Sequence, residues 1–187
     1  FGYLAAMLAK EFGPVRLQVT GKGVSADLEA EDIDLEHVTI AVLAGSTRTA
    51  AALVRPPGHH ARKYQSMGFC LLNNVAIAAR VATDEFHLDR VLIVDYDVHH
   101  GNGTKEAFWD DGRVAFLSMH RWPFYPGTGS ANETGSGDGL GTTVNLPVEF
   151  GTPPEEQVKR FEDELVRLAD KVRPQLVLLS AGFDGHR

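Results

Sequence analysis

The sequence predicts an α/β fold built on a buried parallel sheet, and three observations predict it. Apolar runs at residues 91–94, 114–117 and 176–179 carry no alternation, the mark of strands buried on both faces. Each run ends in polar residues: Asp95-Tyr96-Asp97, Ser118-Met119-His120, and Ser180 followed by Asp184. Helical patterns separate the runs, and the repeated order of strand, polar strand end and helix is that of parallel units.

The 187 residues read as a single domain with room for a real core. Hydrophobic residues make up 43% and charged residues 23%, ordinary for a globular chain. The net charge of −7 and the lack of a Lys/Arg run argue against direct nucleic-acid binding and are compatible with a basic substrate. A single cysteine, Cys70, allows no internal disulfide and points to a reducing compartment. No signal peptide or membrane-spanning run is found, so an intracellular location is expected, cytoplasmic for a bacterial protein, with no secretion. The first residue is Phe1 and the last follows a polar cluster, so the chain is expected to be a fragment of a longer protein.

Taken in order, Phe1, Leu4, Leu8 and Phe12 recur at helical spacing until Gly13-Pro14. Residues 20–37 read as an acidic loop in which His37 is a surface residue. A helix over Val38–Ala44 and a strand over Ala50–Val54 follow. Arg55-Pro56-Pro57-Gly58 makes a stiff turn that mounts His59 and His60. Phe69 and Cys70 read by default as core residues, and Asn73-Asn74 caps a helix over Val75–Val81. The strand from Val91 runs into Asp95, Asp97, His99 and His100, and a short helix covers Thr104–Trp109. The strand from Val114 ends at Ser118, and His120 beyond it reads as a hydrogen-bonded structural residue. The glycine-rich stretch 126–141 is a loop, long enough to be functional, and not a phosphate loop. After a strand over Thr143–Leu146, Thr152 is expected to cap a helix, with Pro153 at its first position and Glu155 completing a capping box. Val158, Phe161, Leu165, Leu168 and Val172 form its stripe and Pro174 ends it.

Chemistry-bearing residues therefore gather at strand ends, where open α/β sheets bind ligands. Alternate side chains of an extended segment point the same way, so Asp95, Asp97 and His99 can share one side. Asp97, His99 and Asp184 make an Asp₂His set that suits zinc or iron(II) with a position open for water and substrate. A nearby histidine can move protons, and Asp95 is placed to hold a histidine's other ring nitrogen. Metal-assisted hydrolysis of an amide is the reaction implied.

From Arg55 onward the chain resembles the histone deacetylase family, in its class II-like and bacterial branch, and the match is strongest over residues 50–187. The motifs that carry it are Arg55-Pro56-Pro57-Gly58-His59-His60-Ala61, Gly68-Phe69-Cys70, Asn73 to Ala78, Asp95 to Gly103, Pro126-Gly127-Thr128-Gly129 and Ser180 to Asp184. Acetylpolyamine amidohydrolases share most of them. The resemblance implies a three-layer arginase/deacetylase-like parallel sheet with helices on both faces, here incomplete, and removal of acetyl groups from lysine or polyamine nitrogens. It implies that Asp97, His99 and Asp184 bind zinc, with Fe2+ as an alternative. It makes His59 and His60 the tandem catalytic histidines, with Asp95 the partner of His59 and Asn102, an aspartate in class I members, the partner of His60. Gly68, Phe69 and Tyr125 match the substrate tunnel, Tyr125 standing where the family usually has Phe. Potassium is implied at Asp95, Asp97, His99 and Ser118, and a second near Phe108, Asp111 and Val114.

Arginases, on the same fold, need a second-metal aspartate where this chain has Gly101, so arginase chemistry is set aside. The family's oxyanion tyrosine lies beyond the last ligand aspartate, outside this sequence. The expected function is zinc-dependent hydrolysis of acetyl-lysine in histones or other proteins, with acetylpolyamine hydrolysis or a non-catalytic acetyl-amine binder as alternatives. No membrane partner is expected, and the oligomeric state is left open.

Overall fold

Four parallel strands in the order β3-β2-β1-β4 form the sheet of this computed structural model, which describes Thr49 and residues 57–185. Apart from Thr49, these residues belong to the unit Pro56–Arg187. The expected helix over residues 1–12, the helix Val38–Ala44, the strand Ala50–Val54, His37, Arg55 and Pro56 lie outside the described residues.

The first helix, α1 (Asn74–Arg80), starts where Asn73 caps it, its side-chain oxygen accepting the Ala76 N–H at 3.1 Å. It does not stop at Val81 as expected but runs on through a π-helical turn, Val81–Glu85. Strand β1 (Val91–Asp95) has the expected bounds, and all five residues are buried. Complete burial of consecutive residues requires cover on both faces of the sheet. Helix α1 packs near β1 and β4, while α3 packs on β1, β2 and β3.

Helix α2 (Asn102–Ala107) begins two residues earlier than expected and so includes Asn102. Strand β2 (Val114–Trp122) continues past Ser118 through His120, because pairing with β3 (Thr143–Glu149) extends from Phe116↔Thr143 to Trp122↔Glu149. Helix α3 (Pro154–Val172) corrects the capping expectation. Pro153 occupies the cap position and offers no side-chain oxygen, while the Thr152 hydroxyl turns back to donate to the Glu149 carbonyl at 2.9 Å. The buried face of α3 is Phe161, Leu165, Leu168 and Ala169, and Val158 is exposed. Arg173, in the left-handed conformation, ends it immediately before Pro174. Strand β4 (Leu176–Ser180) pairs with β1 in register, Asp95 opposite Ser180, but Leu179 is exposed and Val177 half-buried, so this strand is less covered than β1. Among the described residues no helix is long and apolar enough to cross a membrane.

Candidate metal centre and acid–base site

The register of the central strands decides which side chains meet. Asp95 ends β1 between Ser118 of β2 and Ser180 of β4, at the carboxyl edge of the sheet. The chain then turns tightly, and carboxylates tie the turn. Asp95 Oδ1 accepts the Asp97 N–H at 3.1 Å, and Asp97 Oδ1 accepts the His99 N–H at 2.8 Å. Beyond β4, Asp184 Oδ1 accepts the Val98 N–H at 3.3 Å, which brings that aspartate back over the β1 turn.

Asp97, His99 and Asp184 can present one ligand atom each with all three atoms within 4.8 Å of one another. The same ring nitrogen, His99 Nδ1, lies 3.0 Å from Asp97 Oδ1 and 2.8 Å from Asp184 Oδ2. One N–H cannot point along both directions at once, whereas a divalent cation satisfies an imidazole nitrogen and two carboxylates together. The donor chemistry fits zinc or ferrous iron.

Beneath this set lie the tandem histidines, both buried. His59 Nδ1–H donates to Asp95 Oδ2 at 2.8 Å, and His60 Nδ1–H donates to Asn102 Oδ1 at 2.8 Å. Asn102 presents its oxygen to His60 because its amide nitrogen is directed at Met67 Sδ, 3.4 Å away. Both Nε2 atoms are thereby left without the proton that Nδ1 carries in the neutral ring. The two rings are 4.0 Å apart between centroids. Burial pulls the His59 pKa down, but the charge and hydrogen bond of Asp95, with Asp97 and Asp184, outweigh it and hold the pKa above 6.5. Burial and the neighbouring His59 push His60 below 6.5, and the hydrogen bond to Asn102 offsets this only in part.

Gly101 touches this layer in a way that excludes any larger residue. A Cβ there would strike Asp95 Oδ2 and crowd His59 Nδ1. The second-metal aspartate that arginases carry at this position would therefore collide with the His59–Asp95 pair. Gly68, in the left-handed conformation, faces the His60 ring so closely that a side chain would overlap it.

The aromatic residues divide unequally. Tyr125 stands edge-on to His60 at 5.1 Å between centroids, and Phe124, which the sequence reading passed over, stacks on His99 at 5.2 Å. Phe69 is 92% exposed with a left-handed backbone, which corrects its default assignment to the core. Cys70 is fully buried, as expected of a small apolar residue. Ser118 Oγ is 3.0 Å from His120 Nδ1, and His120 Nε2–H donates to the Gly129 carbonyl at 3.0 Å, so His120 is hydrogen-bonded within the structure. Phe108, Asp111 and Val114 meet at the turn between α2 and β2, where Phe108 O accepts the Asp111 N–H and Asp111 O the Val114 N–H. The Asp111 carboxylate is taken by Arg113 and Arg80.

Sequence reasoning gave no role to His100. It is buried, its Nδ1 is 2.7 Å from Thr128 Oγ1, and burial together with His120 and Lys105 pushes its pKa down to about 2. It is therefore a neutral imidazole that ties the β1 turn to the glycine-rich loop. The only local signal was its place beside His99.

Residues 34–187 match the family model described as histone deacetylase domain. A curated relative, histone deacetylase 10, chloroplastic, of Oryza sativa subsp. japonica, is 47% identical over 135 residues, which cover 72% of this chain and 30% of that protein. The crystal structure of the HDA15 HD domain superposes with a TM-score of 0.78 at 43% identity, over 82% of this chain and 45% of the other. Acetylpolyamine aminohydrolase from Burkholderia pseudomallei superposes with a TM-score of 0.75 at 41% identity, over 80% and 44% of the two chains. The chain thus spans less than half the length of each of these proteins.

Proposed function

The chain belongs to the histone deacetylase family, and from that premise we propose that it forms the metal- and histidine-bearing part of an amide hydrolase acting on acetyl-lysine side chains of proteins. The observation that carries this reading is the meeting of two layers. Asp97, His99 and Asp184 converge at one point, and His59 and His60 lie below them with their Nδ1 atoms already engaged.

Zinc or ferrous iron held by Asp97, His99 and Asp184 would supply positive charge to polarise the acyl oxygen and to acidify a water molecule. His60 is the base in this scheme. Its Nδ1–H is committed to Asn102, and its pKa lies below 6.5, so Nε2 has a free lone pair at neutral pH. It takes the proton of the attacking water as the new C–O bond forms. It returns that proton to the nitrogen as the C–N bond breaks, leaving a free amine and acetic acid, which ionises to acetate. His59, whose Nδ1–H Asp95 holds and whose pKa it raises, stands beside the developing negative oxygen and stabilises it when protonated. Tyr125 and Phe124 flank this point and provide apolar surface for the acyl-lysine stem. Potassium, which the family resemblance implies, would be held at Asp95, Asp97, His99 and Ser118 and at Phe108, Asp111 and Val114, and would supply fixed positive charge beneath the site.

Likeness to an acetylpolyamine aminohydrolase and the net charge of −7 favour a second reading, in which the substrate is an acetylated polyamine. The test is acetate release by the purified zinc-loaded protein from an acetyl-lysine peptide and from N-acetylspermidine. The peptide is expected to be the better substrate, with release abolished by chelation and by His60→Ala. Faster release from the polyamine moves the assignment to the second reading, and release from neither overturns the hydrolase.

A further inference from the structure

Glu133 lies thirty-one positions beyond Asn102, yet α2 carries a contact of each. Asn102, at the start of α2, sets the orientation of His60. Three residues on, Lys105 forms a partly buried ion pair with Glu133 of the glycine-rich loop. The other Glu133 oxygen accepts the N–H groups of Gly129 at 3.1 Å and Ser130 at 3.0 Å, and Asn145 Nδ2 donates to the Glu133 carbonyl at 2.9 Å. One carboxylate therefore fastens two consecutive amides of the loop to a helix that also orients the proposed base. Lys105 Nζ lies over the Trp109 ring at 5.4 Å, which further limits its freedom.

The fastened turn lies next to the aromatic wall. Gly127 N–H donates back to the Phe124 carbonyl at 2.8 Å, closing a turn around Tyr125. Thr128 holds His100, and Gly129 O holds His120. Gly129 itself, left-handed, sits against both imidazoles with no room for a side chain. The path from the Lys105 ammonium to the Tyr125 ring is thus a short chain of hydrogen bonds and close packing.

We propose that Lys105 and Glu133 are positioning residues that fix the Tyr125 and Phe124 wall relative to His60 and so set the fit of the acyl group. Neither residue touches the reacting atoms. The kinetic part of this inference rests on the hydrolase reading above; the structural part does not. Charge-assisted hydrogen bonds in a partly buried setting have the strength needed to hold such a loop, and small displacements of a substrate wall are costly to binding.

The test compares wild type with Lys105→Met, Lys105→Arg and Glu133→Gln. Hydrogen exchange over residues 124–133 reads the clamp without any turnover. Lys105→Met is expected to speed exchange there about tenfold, with α3 unaffected, and Lys105→Arg to restore protection. In the acetate-release assay Lys105→Met and Glu133→Gln are expected to raise KM about tenfold with kcat within about twofold, again recovered in Lys105→Arg. Unchanged exchange in Lys105→Met overturns the clamp whether or not the protein is a hydrolase. Faster exchange with unchanged KM, or with a fall in kcat alone, overturns the link to the wall. A wild type with no turnover sinks the hydrolase reading and leaves the exchange result to decide the clamp by itself.

Discussion

The two layers of the site are built on opposite plans. In the lower layer Asp95 is 0%, His59 5%, His60 4% and Asn102 8% exposed, and each histidine has one hydrogen-bond partner of its own. In the upper layer Asp97 is 16%, His99 27% and Asp184 43% exposed, and two carboxylates crowd one ring nitrogen. The lower layer is complete as a folded unit, held by sheet register and buried hydrogen bonds. The upper layer has an excess of negative charge that folding alone does not balance. On the proposed reading, this division separates acid–base chemistry set by the fold from a centre that a cation would complete.

Breaking the two layers should have unequal effects on stability. Asp95→Ala removes the hydrogen-bond partner of buried His59 and the largest stabiliser of its charge, leaving only Asp97 and Asp184, and losing one partner of a buried pair costs about 3–5 kcal/mol. In metal-free protein Asp184→Ala should stay within about 1 kcal/mol of wild type, because the side chain is exposed and its removal relieves crowding. Urea midpoints for both variants measure the contrast, and equal losses would erase it.

Within the lower layer, the two histidines differ by one partner, and Asn102→Asp removes that difference. A negative partner beside His60 Nδ1 raises a histidine pKa by about one unit or more. His60 acts as a base only when neutral, so raising its pKa requires a higher pH to free it. The acid limb of the kcat/KM profile should therefore move to higher pH by about one unit. An unmoved limb would mean that His60 is not the group titrating there.

Some of this could be read from residue order alone. The bounds of β1 and β4 follow from unbroken apolar runs ended by Asp95 and Ser180, and the Asn73 cap follows from its chemistry. The convergence of residues near 60, 97 and 184 was legible because strand ends of a parallel sheet share an edge. The start of α3 was not legible: a Thr-Pro-Pro-Glu run fits a capping box, and only the path out of β3 turns the Thr152 hydroxyl toward Glu149 instead. Nor was the length of β2, whose end is decided by pairing with β3 across an intervening loop. Phe124 on His99 and Lys105 with Glu133 depend on contacts 25 or more positions apart in the chain, and nothing in either neighbourhood marks them.

The most direct test of a fold-built lower layer beneath a cation-dependent upper one is metal content. Elemental analysis of purified wild type and Asp97→Ala, each with a thermal melt, separates the layers. One zinc or iron per chain in wild type, lost in Asp97→Ala while a cooperative melt persists, is the predicted result. A folded wild type with no stoichiometric metal after incubation with zinc, or an Asp97→Ala that retains it, would contradict the assignment of Asp97, His99 and Asp184.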